Sequence, residues 1–511
     1  MVLGRGAAKV RAMRSIVLCL ACAAALVHAA VGPETTAVII NGDSADSRAL
    51  AAAWMEVRGI PAGQAITLSG IPAGQRCSLE DFQATILDPV EATLRERGLA
   101  ERTLVIAYAG DFPTAIDLPD TEGLQRWQRG PASLTGLTLL APLISGGRAA
   151  ITQPMANPYA EVIADPTAAS DRLAAADPRL KTAFETMAEK PAEAEAILAA
   201  LAADFPGTPG LEYNLACVRA RLGRLDEAEA SLTLALAAGF ANAAHLDLDP
   251  DLRPLHARPA WADLRARALA LGQAIRPHPS IGFTQRPASN GSVPGRLAML
   301  LAPLRGRGLD VETAIAGLRR SAAADGSRPA GTVVICNSRD EARSATRRWA
   351  FAGATETLCQ LGVAAEVRVG AMPSADSPCI GVLMGVATFD WPASGATILP
   401  GAWCDHLTSF GGDLRETAGQ TPLTAFLTAG AAGAGGTVSE PLNVAFKFPS
   451  AFVHVHRVRG LSLVEAVHRT IASPYQYLCV GDPLSRPWPK PALPAPIAGD
   501  AAETGNTPTG P

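Results

Sequence analysis

Short apolar runs that recur along the chain, separated by stretches of helical period, constrain the fold more than any other feature. Ala37-Val-Ile-Ile40, Thr103-Leu-Val-Ile-Ala-Tyr108, Gly331-Thr-Val-Val-Ile-Cys336 and Cys379-Ile-Gly-Val-Leu-Met384 are apolar throughout instead of alternating. That is the pattern of strands covered on both faces. Strand, helix, strand with short connections builds an α/β fold, a mostly parallel sheet flanked by helices. Asn41-Gly-Asp-Ser44 is expected to cap a helix over Asp46–Arg58, which Gly59-Ile-Pro61 stops. A second helix is expected over Leu79–Arg97, kinked at Pro89. Further helices are expected at Gly295–Ala302, Asp310–Ala322, Asp340–Leu361, Thr421–Ala429 and Leu463–Ile471, the last carrying His468 at the surface. Further strands are expected at Ala365–Val369, Tyr477–Val480 and Phe452–Arg457, where His454 and His456 would share a face.

The division of the chain follows from changes in composition. Residues 1–30 carry Arg5, Lys9, Arg11 and Arg14, then the apolar run Ile16–Leu26 and a small-residue site at Val27-His28-Ala29. This reads as a secretory signal peptide, since the run is too short to span a bilayer. Cys22 does not make it a lipoprotein signal, because Cys19 stands where an aliphatic residue is required. The protein is therefore expected to be exported, periplasmic or extracellular, with no membrane span. Residues 31–167 form one α/β half and 276–488 the other. Between them, 168–275 turn rich in Ala, Leu, Glu and Arg with a helical period. Residues 489–511 are a Pro/Ala/Gly tail expected to be disordered.

Charge and cysteine content exclude some classes. The leader holds four of the 44 cations and none of the 48 acids, so the remainder is acidic and nucleic acid is not an expected partner. Seven cysteines lie outside the leader, an odd and scattered set that makes no disulfide framework. No metal-ligand spacing occurs, and Ala431–Gly436 lacks the lysine of a phosphate-binding loop, so no metal and no cofactor are expected.

Reactive groups concentrate in Ile398–Gly412, where Cys404, Asp405, His406, Thr408 and Ser409 precede a glycine pair. A cysteine hydrolase needs a thiolate, and an imidazole neighbour supplies one. Cys404 and His406 point the same way on an extended chain, with Asp405 or Glu440 in support. Thr408–Gly412 either offers backbone N–H groups to an anion or is a turn whose glycines take positive φ. Asp43 and Asp111 follow strands, where ligands of open α/β sheets bind. Asp482 follows the last strand, and the loops 110–113, 436–441 and 481–483 are expected at the same edge as 398–412.

Several blocks carry a resemblance. Asp405-His-Leu-Thr-Ser-Phe-Gly-Gly412, Gly436-Thr-Val-Ser-Glu-Pro441, Lys447-Phe-Pro449, Gly481-Asp-Pro-Leu484 and the opening Asn41-Gly-Asp-Ser…Arg58-Gly-Ile-Pro61 resemble, in order, the hallmark blocks of an uncharacterised exported bacterial family. That family has no established activity, so the likeness implies architecture only. A more distant similarity runs to the gingipain-like, caspase-fold cysteine peptidases. It implies a caspase-like or flavodoxin-like sheet with a histidine near Gly385–Asp390 and a cysteine near Ala402–Cys404. The first place holds no histidine, the second holds Cys404. Leu215, Ala216, Gly223, Ala228, Leu232 and Ala235 resemble the contact positions of a tetratricopeptide repeat, which implies an inserted all-α module. Two functions follow: a non-catalytic binding or assembly protein on a degenerate peptidase-like scaffold, meeting a protein or peptide through 168–275, or a hydrolase using Cys404 and His406.

Overall fold

The computed structural model describes residues 31–119, 129–141, 157, 159–160, 177–204, 209–237, 240, 246–247, 249–273 and 295–489. The expected leader and the tail beyond 489 lie outside the described residues.

Thirteen strands are described: β1 (Thr36–Asn41), β2 (Ala65–Leu68), β3 (Arg76–Ser78), β4 (Val105–Tyr108), β5 (Ala115–Asp117), β6 (Ala132–Ser133), β7 (Leu297–Leu300), β8 (Thr332–Asn337), β9 (Ala364–Val369), β10 (Pro378–Met384), β11 (Thr397–His406), β12 (Gly433–Thr437) and β13 (Tyr477–Gly481). Ten of them form one sheet in the order β2-β1-β4-β7-β13-β12-β11-β10-β8-β9, and β3-β5-β6 form a small second sheet. Within the large sheet the ladders β2-β1-β4-β7 and β12-β11-β10-β8-β9 are parallel, whereas β12 and β13 are antiparallel. The expected class, a mostly parallel sheet flanked by helices, is what the chain adopts.

The middle of the large sheet is enclosed. Every residue of β4, β7, β12 and β13 is buried, so both faces are covered. The helix Ala45–Arg58 starts at Ser44, whose hydroxyl accepts the Ser47 N–H, and ends at Gly59 in the left-handed region.

Three expectations about elements need correction. Residues 297–300 are not helical but form β7, inside the sheet. Leu, Ala and Met favour helices, yet an unbroken apolar run carries no period, and burial on both faces decides. Phe452–Val458 is a helix, not a strand, and with every residue from Phe452 to Arg457 buried the Val/His alternation marks no solvent face. The long helix over Asp340–Leu361 is two helices, Glu341–Arg348 and Phe351–Gln360. Over the expected helix Leu79–Arg97, a π turn (Gln83–Leu87) immediately before Pro89 joins Leu79–Phe82 to Asp88–Glu96, a wider turn that accommodates the missing donor of proline.

Residues 178–273 contribute the helices Pro178–Thr186, Pro191–Asp204, Pro209–Arg221, Leu225–Ala237 and Trp261–Gln273, packed around two cores of their own. Leu215, Ala216, Ala228, Leu232 and Ala235 are buried between these helices, and Gly223 takes positive φ at the turn. The last of these helices contacts Phe351–Gln360, and Ala352 packs on the second core.

Candidate functional site at the carboxyl edge of the sheet

β11 delivers the reactive cluster to the sheet edge, but it splits that cluster in two. Trp403, Cys404, Asp405 and His406 pair in unbroken register with Gly381, Val382, Leu383 and Met384. Alternation therefore sends Trp403 and Asp405 to one face and Cys404 and His406 to the other.

On the first face Asp405 is fully buried between the Arg347 guanidinium and the Tyr477 hydroxyl. Arg347 also donates to the Met384 carbonyl at 2.9 Å and lies 5.9 Å from the centre of the Phe448 ring. Burial and the adjacent Asp405 push the Tyr477 phenol well up, so it stays a donor. Gly435 makes room for that ring, which a Cβ would overlap.

On the second face Cys404 is fully buried, and burial, then the neighbouring Cys379, holds its thiol well above the usual range. His406 is 1% exposed, and burial lowers it to about 4 against weaker support from the Val386 carbonyl. Its Nδ1 lies 3.2 Å from the Val386 carbonyl oxygen. The ring meets Phe389 edge-on at 5.0 Å and Phe426 at 5.7 Å. Its Nε2 has no hydrogen-bond partner among the described residues and faces Gly411. No hydrogen bond joins Cys404 to an imidazole among the described residues. A nucleophilic cysteine needs access and a lowered pKa, and Cys404 has neither. The sequence pair Cys404/His406 shares a face but is neutral and enclosed.

The loop after β11 uses its donors internally. Thr408 Oγ1 and the Phe410 N–H both donate to Gln420 Oε1 at 2.7 Å, and Arg343 Nε reaches Thr408 Oγ1 at 3.3 Å. The Gly412 N–H donates to the Thr437 carbonyl at 2.9 Å, while Thr437 Oγ1 donates to the Thr408 and Ser409 carbonyls. The Phe410 and Gly412 N–H groups are therefore not available to an anion. Positive φ is not the reason for the glycine pair either, because neither Gly411 nor Gly412 adopts it. A Cβ on Gly411 would sit 2.9 Å from His406 Nε2, and one on Gly412 would press on Gly436. The His406 ring requires the glycine at 411, and close approach of the end of β12 requires the one at 412. Ser409 is half-buried at this edge.

Glu440, exposed, spends Oε1 on the Leu442 N–H at 2.8 Å. Behind it lies Lys447, fully buried, with Nζ 2.6 Å from Gln476 Oε1 and 3.3 Å from the Tyr475 hydroxyl. Burial lowers Lys447 to about 7, opposed by Glu440. Gln476 passes the contact on to Ser439 Oγ at 2.6 Å. Arg347, Tyr477 and Gln476 were not anticipated as site residues, and Lys447 only as part of a block. A basic residue flanked by Phe446 and Phe448 was the one available sign.

The amino-terminal loops reach the same edge. Asp111, in the left-handed region at φ 59°, accepts the Ser44 hydroxyl and lies 3.6 Å from Arg305 Nε. The exposed Asp43 takes the Gly70 N–H at 2.7 Å. The loop after β7 joins the loop after β11, since the Arg307 N–H donates to Leu414 at 2.8 Å and Thr424 Oγ1 to the Arg307 carbonyl at 2.8 Å.

Asp482 does not belong to this edge. Because β13 opposes β12, Gly481 pairs with Gly433 at the start of β12, and Tyr477 with Thr437 at its end. Asp482 is therefore at the far edge, buried beside Trp54 Nε1 (3.1 Å) and Arg58 Nε (3.0 Å). His468 is also not at the surface: it is fully buried, with Nδ1 2.9 Å from the Val464 carbonyl, and burial lowers it to about 4.

The seven cysteines among the described residues are all free, and of these only Cys359 is exposed. Among the described residues no group of three His, Cys, Asp or Glu is placed to hold a metal ion, and no helix is long and apolar enough to cross a membrane. Comparison with protein-family models and with curated proteins finds no match to the chain.

Proposed function

We propose that this is an exported, non-catalytic binding or assembly protein, built on a degenerate peptidase-like scaffold and meeting a protein or peptide partner through its tetratricopeptide-like helices. The observation that carries the reading is the burial of Cys404, the one cysteine standing where a peptidase of this kind would keep its nucleophile. With its thiol held protonated and His406 neutral and turned toward Gly411, the hydrolase alternative has no activated nucleophile. Two of the five large apolar side chains exposed among the described residues, Phe184 (49%) and Leu234 (54%), lie on helices of 178–273 and give this segment apolar contact points.

Two experiments test it. Iodoacetamide labelling of the native protein, mapped by mass spectrometry, is expected at Cys359 and not at Cys404. Site-selective labelling of Cys404 under native conditions would overturn the non-catalytic reading. A photo-crosslinking residue placed at Phe184 or Leu234 is expected to give one discrete adduct in the exporting cell, and the same residue at the exposed Asp43 none. Equal patterns from all three positions would remove the helices as the contact surface.

A further inference from the structure

Beside the buried His406, on the outer side of Phe389, the fold opens a cavity of about 780 Å³ that the binding reading does not use. Its walls come from two short helices, Trp391–Ser394 and Thr424–Thr428, and from the start of β11. This volume is in the range of small-molecule sites. Phe389, half-buried, and the edge of Trp391, which is only 5% exposed, line it, and both rings pack against Phe426, at 4.8 Å stacked and 5.7 Å edge-on. This packing fixes the rings before any ligand arrives. Ile398, Pro392 and Pro422 add rigid apolar wall.

The charge of the lining is one-sided. Asp390 is its single carboxylate, exposed, and no lysine, arginine or histidine lines the cavity. Its Oδ1 accepts the Ala393 N–H at 3.3 Å as the cap of the short helix, an interaction that leaves the negative charge in place. Pre-set aromatic rings beside an acid, with no competing cation, match an organic cation whose charge is spread over alkyl groups. A hydrated inorganic ion would gain nothing from the rings, and an anion would be repelled.

We propose that this cavity binds a small alkylated ammonium compound, its cationic head against Phe389, its alkyl groups along the edge of Trp391, and its charge balanced by Asp390. The site is separate from the helices of 178–273, so it stands whether or not those helices hold a partner.

The test is calorimetric titration of the full chain with choline chloride and, in parallel, with 3,3-dimethylbutanol, which has the same shape without the charge. Choline is expected to bind and the alcohol to bind at least about fivefold more weakly. Asp390→Asn keeps a capping side chain and removes the charge, so the fold is retained while choline weakens by about threefold. Phe389→Leu is expected to abolish binding, with circular dichroism checking that the variant folds. Phosphatidylcholine vesicles then separate two sources of the same chemistry. If they compete with choline, a lipid headgroup reaches the cavity; if they do not, the ligand is a free compound. Equal affinity for choline and the alcohol, or no response to choline at all, would overturn the proposal, as would choline affinity unchanged in Asp390→Asn.

Discussion

The two faces of β11 receive neighbouring residues and treat them in opposite ways. On one, Asp405 is held by Arg347 and Tyr477, a charge buried with partners. On the other, Cys404 and His406 lie in apolar surroundings, and burial keeps both neutral. Residues adjacent in the chain are thus separated by the thickness of the sheet. A run of reactive side chains on a strand is two half-clusters, and here neither half has the composition of a nucleophilic site.

The strongest way to break this comparison is to remove the charge pair. Asp405→Ala is expected to cost about 3–5 kcal/mol in urea unfolding, because Arg347 is left buried without its counter-charge. The double variant Asp405→Leu/Arg347→Met is expected to recover most of that loss. If the double variant is no better than the single one, the pair is not what this face depends on.

Acid titrates the other face. His406 lies at about 4 in the fold against an ordinary 6.5, so between these values the unfolded chain binds the proton and the folded one does not. Stability from this residue is intact above 6.5, falls as pH drops, and levels off below about 4, for a total of about 3 kcal/mol. His454 at about 3 and His468 at about 4 add slopes of the same sign. His406→Phe is therefore expected to flatten part of the stability profile between pH 6.5 and 4. A profile of unchanged steepness would place the imidazole in water.

Smaller effects sharpen the contrast. Cys404→Ala is expected to cost about 1 kcal/mol and Cys404→Ser about 2 kcal/mol, since this face treats the thiol as a small apolar group and a hydroxyl would lack a partner. The reverse order would mean a polar environment. Asp43→Asn, at the exposed amino-terminal loop, keeps an acceptor for Gly70 and is expected to change stability by less than about 0.5 kcal/mol.

Much of the sheet was legible because strands buried on both faces write themselves as apolar runs, as β1, β4, β8, β10 and β13 do. Among the strands that escaped, two did so for opposite reasons. Leu297–Leu300 is apolar but made of helix formers. Gly433–Thr437 has almost no side chains, and its glycines are there for Leu463 and Tyr477 to pack against the backbone. At the site, the edge and its loops were legible from the chain; the partners were not. Arg347 stands 58 residues before Asp405 and Tyr477 stands 72 after it. Nothing local marks a side chain whose role is set by a neighbour so far away. The misplacement of Asp482 has the same root, since strand direction within a sheet is a property of the assembled ladder.

The place of β13 in the sheet has a consequence for how the chain is made. β13 lies between β7 and β12, so it joins the four strands β2-β1-β4-β7 to the five strands β12-β11-β10-β8-β9. It is also the last strand of the sheet in the sequence. During synthesis from the amino terminus, β7 and β12 each wait with a bare hydrogen-bonding edge until Tyr477–Gly481 emerges. Until then both unfinished ladders are open to foreign strands. A chain cut short anywhere before Tyr477 leaves a sheet with a gap through its middle, a natural target for quality-control proteases.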